Sequence, residues 1–205
     1  GQIDISFATL ERAAQFISAT DEAQRIDLTS GLLLFREADV LYLTSADEQL
    51  PLDAFPQVDV ESIPIAFDSA RSVARAEAVS SDVEISLDNS WVLTGTLSKT
   101  KEMLTIDDLF QVTLDADVLG ENLNLRPRRD GDRFRPLGMD GQSMKLSDFF
   151  INVKLPRRAR EHYPLLCMGD EIIWVPGYRP AHHVRVTAST QRVVVFRIKK
   201  SATHL

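Results

Sequence analysis

The sequence predicts an α+β protein of two small domains: a helix plus short-strand N-terminal part, and a compact C-terminal α+β domain with antiparallel strands and two short helices. Three observations point there. Apolar residues recur at helical spacing over 6–19. Short runs of alternating polarity, punctuated by Gly, Pro, Asn and Asp, recur through most of the remainder. The charge also changes sign along the chain. The first 125 residues hold 7 Lys+Arg and 23 Asp+Glu, whereas 126–205 hold 16 and 7, within a net charge of −7. Such a split marks regions with separate tasks. With 44% hydrophobic and 26% charged residues, a chain of 205 can bury a sizeable core, and global disorder is excluded.

In order, Phe7, Leu10, Ala14 and Ile17 form the apolar stripe of the first helix, flanked by Phe16, with Ser6, Thr9 and Glu11 as a capped start. Asp21-Glu22 leads into an alternating strand at 24–28, and Ser30-Gly31 turns it. The runs 32–36 and 40–44 then read as a hairpin around Glu37-Ala38-Asp39. Asp47, Glu48, Pro51, Asp53 and Pro56 mark an exposed connection and a boundary. The expected divisions are therefore 1–50, an acidic strand-rich connecting region at 51–124, and a basic domain at 125–205. Within the connecting region, 58–67, 72–80, 91–97 and 109–114 read as strands. Val83, Ile85 and Leu87 alternate with acids, Asp88-Asn89 turns, and 99–105 and 115–122 are loops.

The basic domain opens on a strand at 123–129, turns at Asp130-Gly131-Asp132 and continues through 133–137 to a loop at Gly138–Gly141. A short helix at 146–151 supplies Leu146, Phe149 and Phe150 to the core. A second helix at 156–163 starts on Pro156, a favoured first position. Strands follow at 165–168, 171–175, 184–187 and 192–198, with turns at Gly169-Asp170 and Pro176-Gly177.

Two basic groups stand out as candidate polyanion sites. Arg126, Arg128, Arg129, Arg133 and Arg135 crowd one Asp-Gly-Asp turn, where Asp130 and Asp132 can satisfy two of them at most. Lys154, Arg157, Arg158 and Arg160 surround the start of the second helix, where cations oppose the helix dipole and an anion would be welcome. Guanidinium groups bind phosphate in bidentate fashion. Pairing with Asp148 or Glu161, or folding back over apolar surface, is the structural alternative. Phe134 reads as core, with base stacking as its alternative.

The catalytic inventory is poor. The chain has no Gly-x-x-x-x-Gly-Lys-[Ser/Thr], no Gly-rich dinucleotide fingerprint and no Gly-x-Ser-x-Gly. His182 and His183, adjacent on a strand, would face opposite ways and not chelate one metal. Asp130, Asp132 and Asp140 lack a cation-loop pattern. Cys167, the lone cysteine, reads as a buried thiol and fits a reducing cytoplasm. No apolar run reaches the roughly 18–20 residues of a membrane span. The opening Gly1-Gln2-Ile3-Asp4-Ile5 is neither a signal peptide nor a Met start, so a piece of a longer protein is expected.

The run Arg128-Arg129-Asp130-Gly131-Asp132-Arg133-Phe134-Arg135-Pro136-Leu137-Gly138-Met139 resembles the Arg-Arg-x-Gly-Asp-Arg-Phe-x-Pro-Leu-Gly signature of bacterial tRNA(Ile)-lysidine synthetases. Lys145-Leu146-Ser147-Asp148-Phe149-Phe150, Lys154-x-Pro156-Arg157-x-x-Arg160, Pro164-Leu165 and Ile173-Trp174-Val175-Pro176-Gly177-x-Arg179 follow in that family's order. The first half is similar only loosely, best from Ile26-Asp27-Leu28 to Leu41.

The resemblance implies an enzyme that activates the wobble cytidine of tRNA(Ile) with ATP and then joins lysine to it. That chemistry, with its ATP and Mg, belongs to an N-terminal adenylation domain with a Ser-Gly-Gly-x-Asp-Ser loop, which this sequence lacks. The chain is accordingly expected to be the tRNA-recognising portion, cytoplasmic and without a cofactor or catalytic residue of its own. Residues 1–50 would be the end of the middle, tRNA-binding domain. The expected partner is tRNA(Ile), with a homodimer left open. Arg126, Arg128, Arg129, Arg133, Arg135, Lys145, Lys154, Arg157, Arg158 and Arg160 are the candidate RNA-binding residues. One departure bears on Lys145: the family often has Lys-Lys-Leu-Lys where this chain has Met144, Lys145, Leu146 and Ser147, two cations fewer.

Overall fold

The computed structural model describes residues 6–19, 25–29, 31–37, 40–45, 48, 50–66, 83–98 and 108–201. The Asp21-Glu22 lead-in to the first strand, Ser30 of the expected turn, the residues Ala38, Asp39 and Asp47, the strand expected at 72–80 and the loop at 99–105 lie outside the described residues. The chain forms two compact units, 1–51 and 52–205.

In the first unit, α1 (Phe7–Ser18) precedes β1 (Arg25–Asp27), β2 (Leu32–Glu37) and β3 (Val40–Ser45), an antiparallel sheet in the order β1-β2-β3. Ser6 is extended, and its hydroxyl accepts from the Thr9 N–H at 3.3 Å, satisfying one of the helix's orphan donors. At the other end Arg36 donates to the carbonyls of Ile17 (3.0 Å) and Ala19 (2.6 Å), as well as to that of Phe16, and its guanidinium lies 4.8 Å from the Phe16 ring centre. A cation thus sits at the negative end of the dipole. The expected apolar stripe is not buried: Phe7, Leu10 and Ile17 are 81%, 56% and 52% exposed, and Phe16 and Thr9 are the buried positions. Arg12, bonded to the Asp27 carbonyl, and Arg36 tie the Phe16 flank to the sheet. No described element covers the other flank.

The second unit is built on two four-stranded antiparallel sheets. One runs β12 (Glu171–Trp174), β11 (Leu165–Met168), β8 (Leu123–Arg126), β4 (Ile63–Ile65); the other runs β5 (Val83–Ser86), β6 (Trp91–Ser98), β13 (Val193–Lys200), β7 (Gln111–Asp115). A short ribbon of β9 (Arg133–Phe134) and β10 (Met144–Lys145) leads into α2 (Leu146–Asn152). Leu93, Leu114, Leu125, Phe150, Leu165, Leu166, Ile173 and Phe196, all inaccessible, share one core. Phe134 and Phe149 meet edge to face there at 5.1 Å.

The first unit ends at Pro51, and residues 124 and 125 both lie in the second. β13 pairs with β6 from Val193↔Ser98 to Lys200↔Trp91 and with β7 on its other edge, and β8 pairs with β4 and β11. Strand edges need partners, and here the basic region finds them in the acidic one. The charge switch separates surfaces, not bodies.

Several local expectations also change. The expected strand at 58–67 shrinks to Ile63–Ile65, with Pro64 on an edge strand, where its missing N–H costs no ladder bond. The second helix is only a 3-10 turn, Arg157–Ala159, preceded by Pro156. The strand expected at 184–187 is absent, and His182–Val184 is a 3-10 turn instead. α2 ends in paired bonds, Leu155 N–H to Phe150 carbonyl (2.9 Å) and Lys154 N–H to Ile151 carbonyl (3.0 Å), with Lys154 in the left-handed region at φ 56°. No described helix is long and apolar enough to cross a membrane.

Candidate nucleic-acid interface

The basic face is organised by one buried arginine. Arg126, at the end of β8, is 1% exposed. Its guanidinium grips Asp132 with both terminal nitrogens, Nη1 to Oδ2 at 2.8 Å and Nη2 to Oδ1 at 2.9 Å. The same nitrogens donate to the carbonyls of Pro127 (2.9 Å) and Asp170 (3.1 Å). Burial alone would lower the Arg126 pKa, but the Asp132 hydrogen bonds and charge outweigh it and hold it above its ordinary value. Asp132 Oδ2 also accepts from the Arg129 N–H at 2.7 Å, and the Asp132 carbonyl accepts from the Leu146 N–H at 2.9 Å. One ion pair therefore fixes the 127–132 loop, the β11–β12 turn and the start of α2. Arg126 is buried, with both terminal nitrogens bonded within the fold and Nε left unpartnered, so it braces the face from beneath and is not an exposed contact as the sequence suggested.

The other arginines of this group reach solvent, and most meet carboxylates. Arg128 pairs with Asp130 at 2.7 Å, Arg129 with Asp170 at 3.1 Å and Arg135 with Glu171 at 3.2 Å. Arg133 donates from Nε to Ser143 Oγ at 2.9 Å and from Nη2 to the Ser143 carbonyl at 3.1 Å. The sequence supplied two local acids; Asp170 and Glu171 arrive from the β11–β12 turn, some 40 residues away in the chain. Their role was missed because only the antiparallel pairing of β8 with β11 brings that turn alongside. The Gly169-Asp170 turn signal followed by Glu171 was the available hint.

The second group sits on the 3-10 turn. Three residues carry too few aligned peptides for a helix dipole, so the expected helix N-terminal anion site is absent. The turn is instead held from outside. Buried Gln57 donates to the carbonyls of Pro56 (2.7 Å) and Ala159 (3.3 Å), the Val58 N–H bonds the His162 carbonyl at 2.8 Å, and the Arg158 guanidinium lies 5.5 Å from the Phe55 ring centre. Arg160 donates from Nε to the Leu155 carbonyl at 2.8 Å. Its pKa is lowered, first by burial and then by the charges of Arg157 and Arg128. Among the described residues, no carboxylate lies within ion-pair distance of Arg157 or Arg160. Lys154 is exposed just before this turn, and Lys145 is exposed at the N-terminus of α2.

The remaining candidates are structural. Cys167 is inaccessible, and burial pushes its thiol up to about 12. Phe134 is core. His182 and His183 lie on a turn and not a strand, and among the described residues no group of three or more His, Cys, Asp or Glu could hold a metal.

Residues 123–197 match the family model described as the TilS substrate C-terminal domain. Among curated proteins, the tRNA(Ile)-lysidine synthase of Clostridium tetani is 39% identical over 92 residues, covering 45% of this chain and 20% of that protein. That of Caldanaerobacter subterraneus is 43% identical over 86 residues, covering 42% and 18%. The match thus spans about a fifth of the length of these relatives. A solved TilS C-terminal domain superposes with a TM-score of 0.52 at 22% identity, covering 59% of this chain and 92% of that one, a likeness of fold.

Proposed function

With its region 123–197 belonging to the TilS substrate C-terminal domain family, we propose that this chain is the tRNA-gripping part of a tRNA(Ile)-lysidine synthetase. In this reading it binds tRNA(Ile) and performs no chemistry itself. ATP-dependent joining of lysine to the wobble cytidine is the work of another part of the cytoplasmic enzyme. The observation that carries the reading is that Arg157 and Arg160 flank one 3-10 turn with no described carboxylate within ion-pair distance of either. Like charges gathered without matching acids favour a polyanion that relieves them. Arg129, Arg133, Arg135, Lys145, Lys154 and Arg158 extend the face.

A-form RNA presents phosphates and 2′-hydroxyls more readily than base edges, so such a face reads shape. Holding one end of a tRNA raises the effective concentration of its anticodon loop at a distant active site. Each neutralised phosphate releases counter-ions, so binding of tRNA(Ile) falls steeply with salt. A filter-binding series checks this; absent binding, or an affinity flat between low and moderate salt, sinks the proposal.

A second reading has its own support: the ion pairs of Arg126, Arg128, Arg129 and Arg135 serve the fold. A structural or protein-interaction domain would need nothing more. Replacing Arg157 separates the two, since a structural role moves the melting temperature and an RNA role moves tRNA affinity.

A further inference from the structure

Between the β9–β10 ribbon and the start of β12 lies a cavity of ≈ 420 Å³ lined by Arg133, Arg135, Ser143, Glu171 and Ile172. Small-ligand clefts occupy about 300–1,000 Å³. Two features shape what it can bind. Arg133 is already oriented by its two hydrogen bonds to Ser143, at 2.9 and 3.1 Å, so its geometry is set before any ligand arrives. Glu171, paired through Oε1 with Arg135 at 3.2 Å, puts a carboxylate among the guanidiniums. A carboxylate repels phosphate and accepts from N–H donors.

The fitting occupant carries acceptors and donors on one rigid unit. Phosphate only accepts. Guanine offers O6 and N7 as an acceptor pair for a guanidinium and N–H donors for a carboxylate, and unpaired bases are read along such edges. We propose that this cavity is a subsite for one unpaired guanine of the bound RNA, with Arg133 or Arg135 donating to O6 and N7 and Glu171 accepting from the base N–H groups. The proposal rests on the RNA-binding reading above and names what one part of that face recognises.

The test titrates the full 205-residue protein with 5′-GMP, 5′-AMP, 5′-CMP, 5′-UMP and inorganic phosphate by calorimetry, alongside tRNA filter binding. The expected result is GMP about tenfold tighter than the other nucleotides and than phosphate. Glu171→Gln, with folding checked by melting temperature, should reduce the GMP preference without abolishing it, because the guanidinium contact to O6 and N7 remains. Ser143→Ala, which loosens Arg133 and leaves Glu171 intact, should weaken GMP while keeping its preference. Equal binding of the four nucleotides, displacement of GMP by phosphate on equal terms, or a preference unchanged by Glu171→Gln overturns the subsite. If tRNA binding persists in those cases, only the guanine assignment falls; if tRNA binding is absent too, the RNA-binding reading falls with it.

Discussion

The arginines around the Asp130–Asp132 turn and those on the Arg157–Ala159 turn look alike in sequence and differ in space. The first group is compensated: Arg126, Arg128, Arg129 and Arg135 each face a carboxylate. In the second, Arg157 and Arg160 face no described carboxylate, and Arg160 instead feels Arg157 and Arg128. Charge density along a chain therefore does not measure free charge. The compensated group shapes the surface, and the uncompensated one leaves positive potential for a partner. Within the first group the pairs also differ in worth. Arg126–Asp132 is buried and bidentate, whereas Arg128–Asp130 and Arg129–Asp170 involve acids 99% and 95% exposed and contribute little to stability.

The largest effect should come from breaking the buried pair. Arg126→Ala leaves Asp132 without its guanidinium and unpins two turns; urea unfolding should report a loss of about 3–5 kcal/mol. Arg128→Ala, by comparison, should cost less than about 1 kcal/mol. If the two losses are equal, the distinction between the pairs fails. In the second group, exposed Arg157→Ala should leave the melting temperature within a degree or so of the parent yet weaken tRNA(Ile) binding by about tenfold or more, since hydrogen bonds to charged groups contribute about 1.5–3 kcal/mol each. The slope of log affinity against log salt should fall by about one for each arginine that meets a phosphate. An unchanged slope with a lowered melting temperature would return Arg157 to a structural role.

Lys154 sharpens the contrast between fold and grip. It occupies the left-handed position after α2 that suits glycine. Lys154→Gly should stabilise by about 1 kcal/mol in thermal unfolding while reducing tRNA affinity. A gain in both would show that the lysine serves neither purpose.

The smallest expected effect concerns a surface pair away from both groups. Asp117 has its pKa lowered to about 2 from 3.8, chiefly by the Arg192 side-chain hydrogen bond at 2.8 Å and then by the N–H groups of Gln191 and Arg192. A depressed carboxyl contributes stability that is present above its unfolded pKa and is lost as pH falls through the folded one. The melting temperature of Asp117→Asn should lie below the parent's at pH 5, and the gap should close between about pH 4 and 2. A gap that persists below pH 2 would assign the role to shape and not to charge.

Much of this was legible in local pattern. Ser6 as a cap, the 32–37 and 40–45 hairpin, the helix at Leu146–Asn152 and the strands flanking Gly169-Asp170 depend on neighbours a few residues away, and sequence carries those directly. So did the candidate face as a stretch of chain, and with it the resemblance at 123–197. The Pro156 turn was over-read as a helix because proline and a following basic run satisfy a helix start equally well. Periodicity placed Phe7, Leu10 and Ile17 on one flank of the first helix, but it does not say what covers that flank.

The sequence by itself determined where charge, turns and short elements lie, because those follow from residue type and spacing. Only the tertiary structure decided which charges are neutralised. Asp170 and Glu171 meet Arg129 and Arg135 through the pairing of distant strands, Asp132 buries Arg126 because the core closes over β8, and Gln57 positions the Arg157 turn from a hundred residues away. Electrostatic worth depends on distance and burial, and neither is written along the chain.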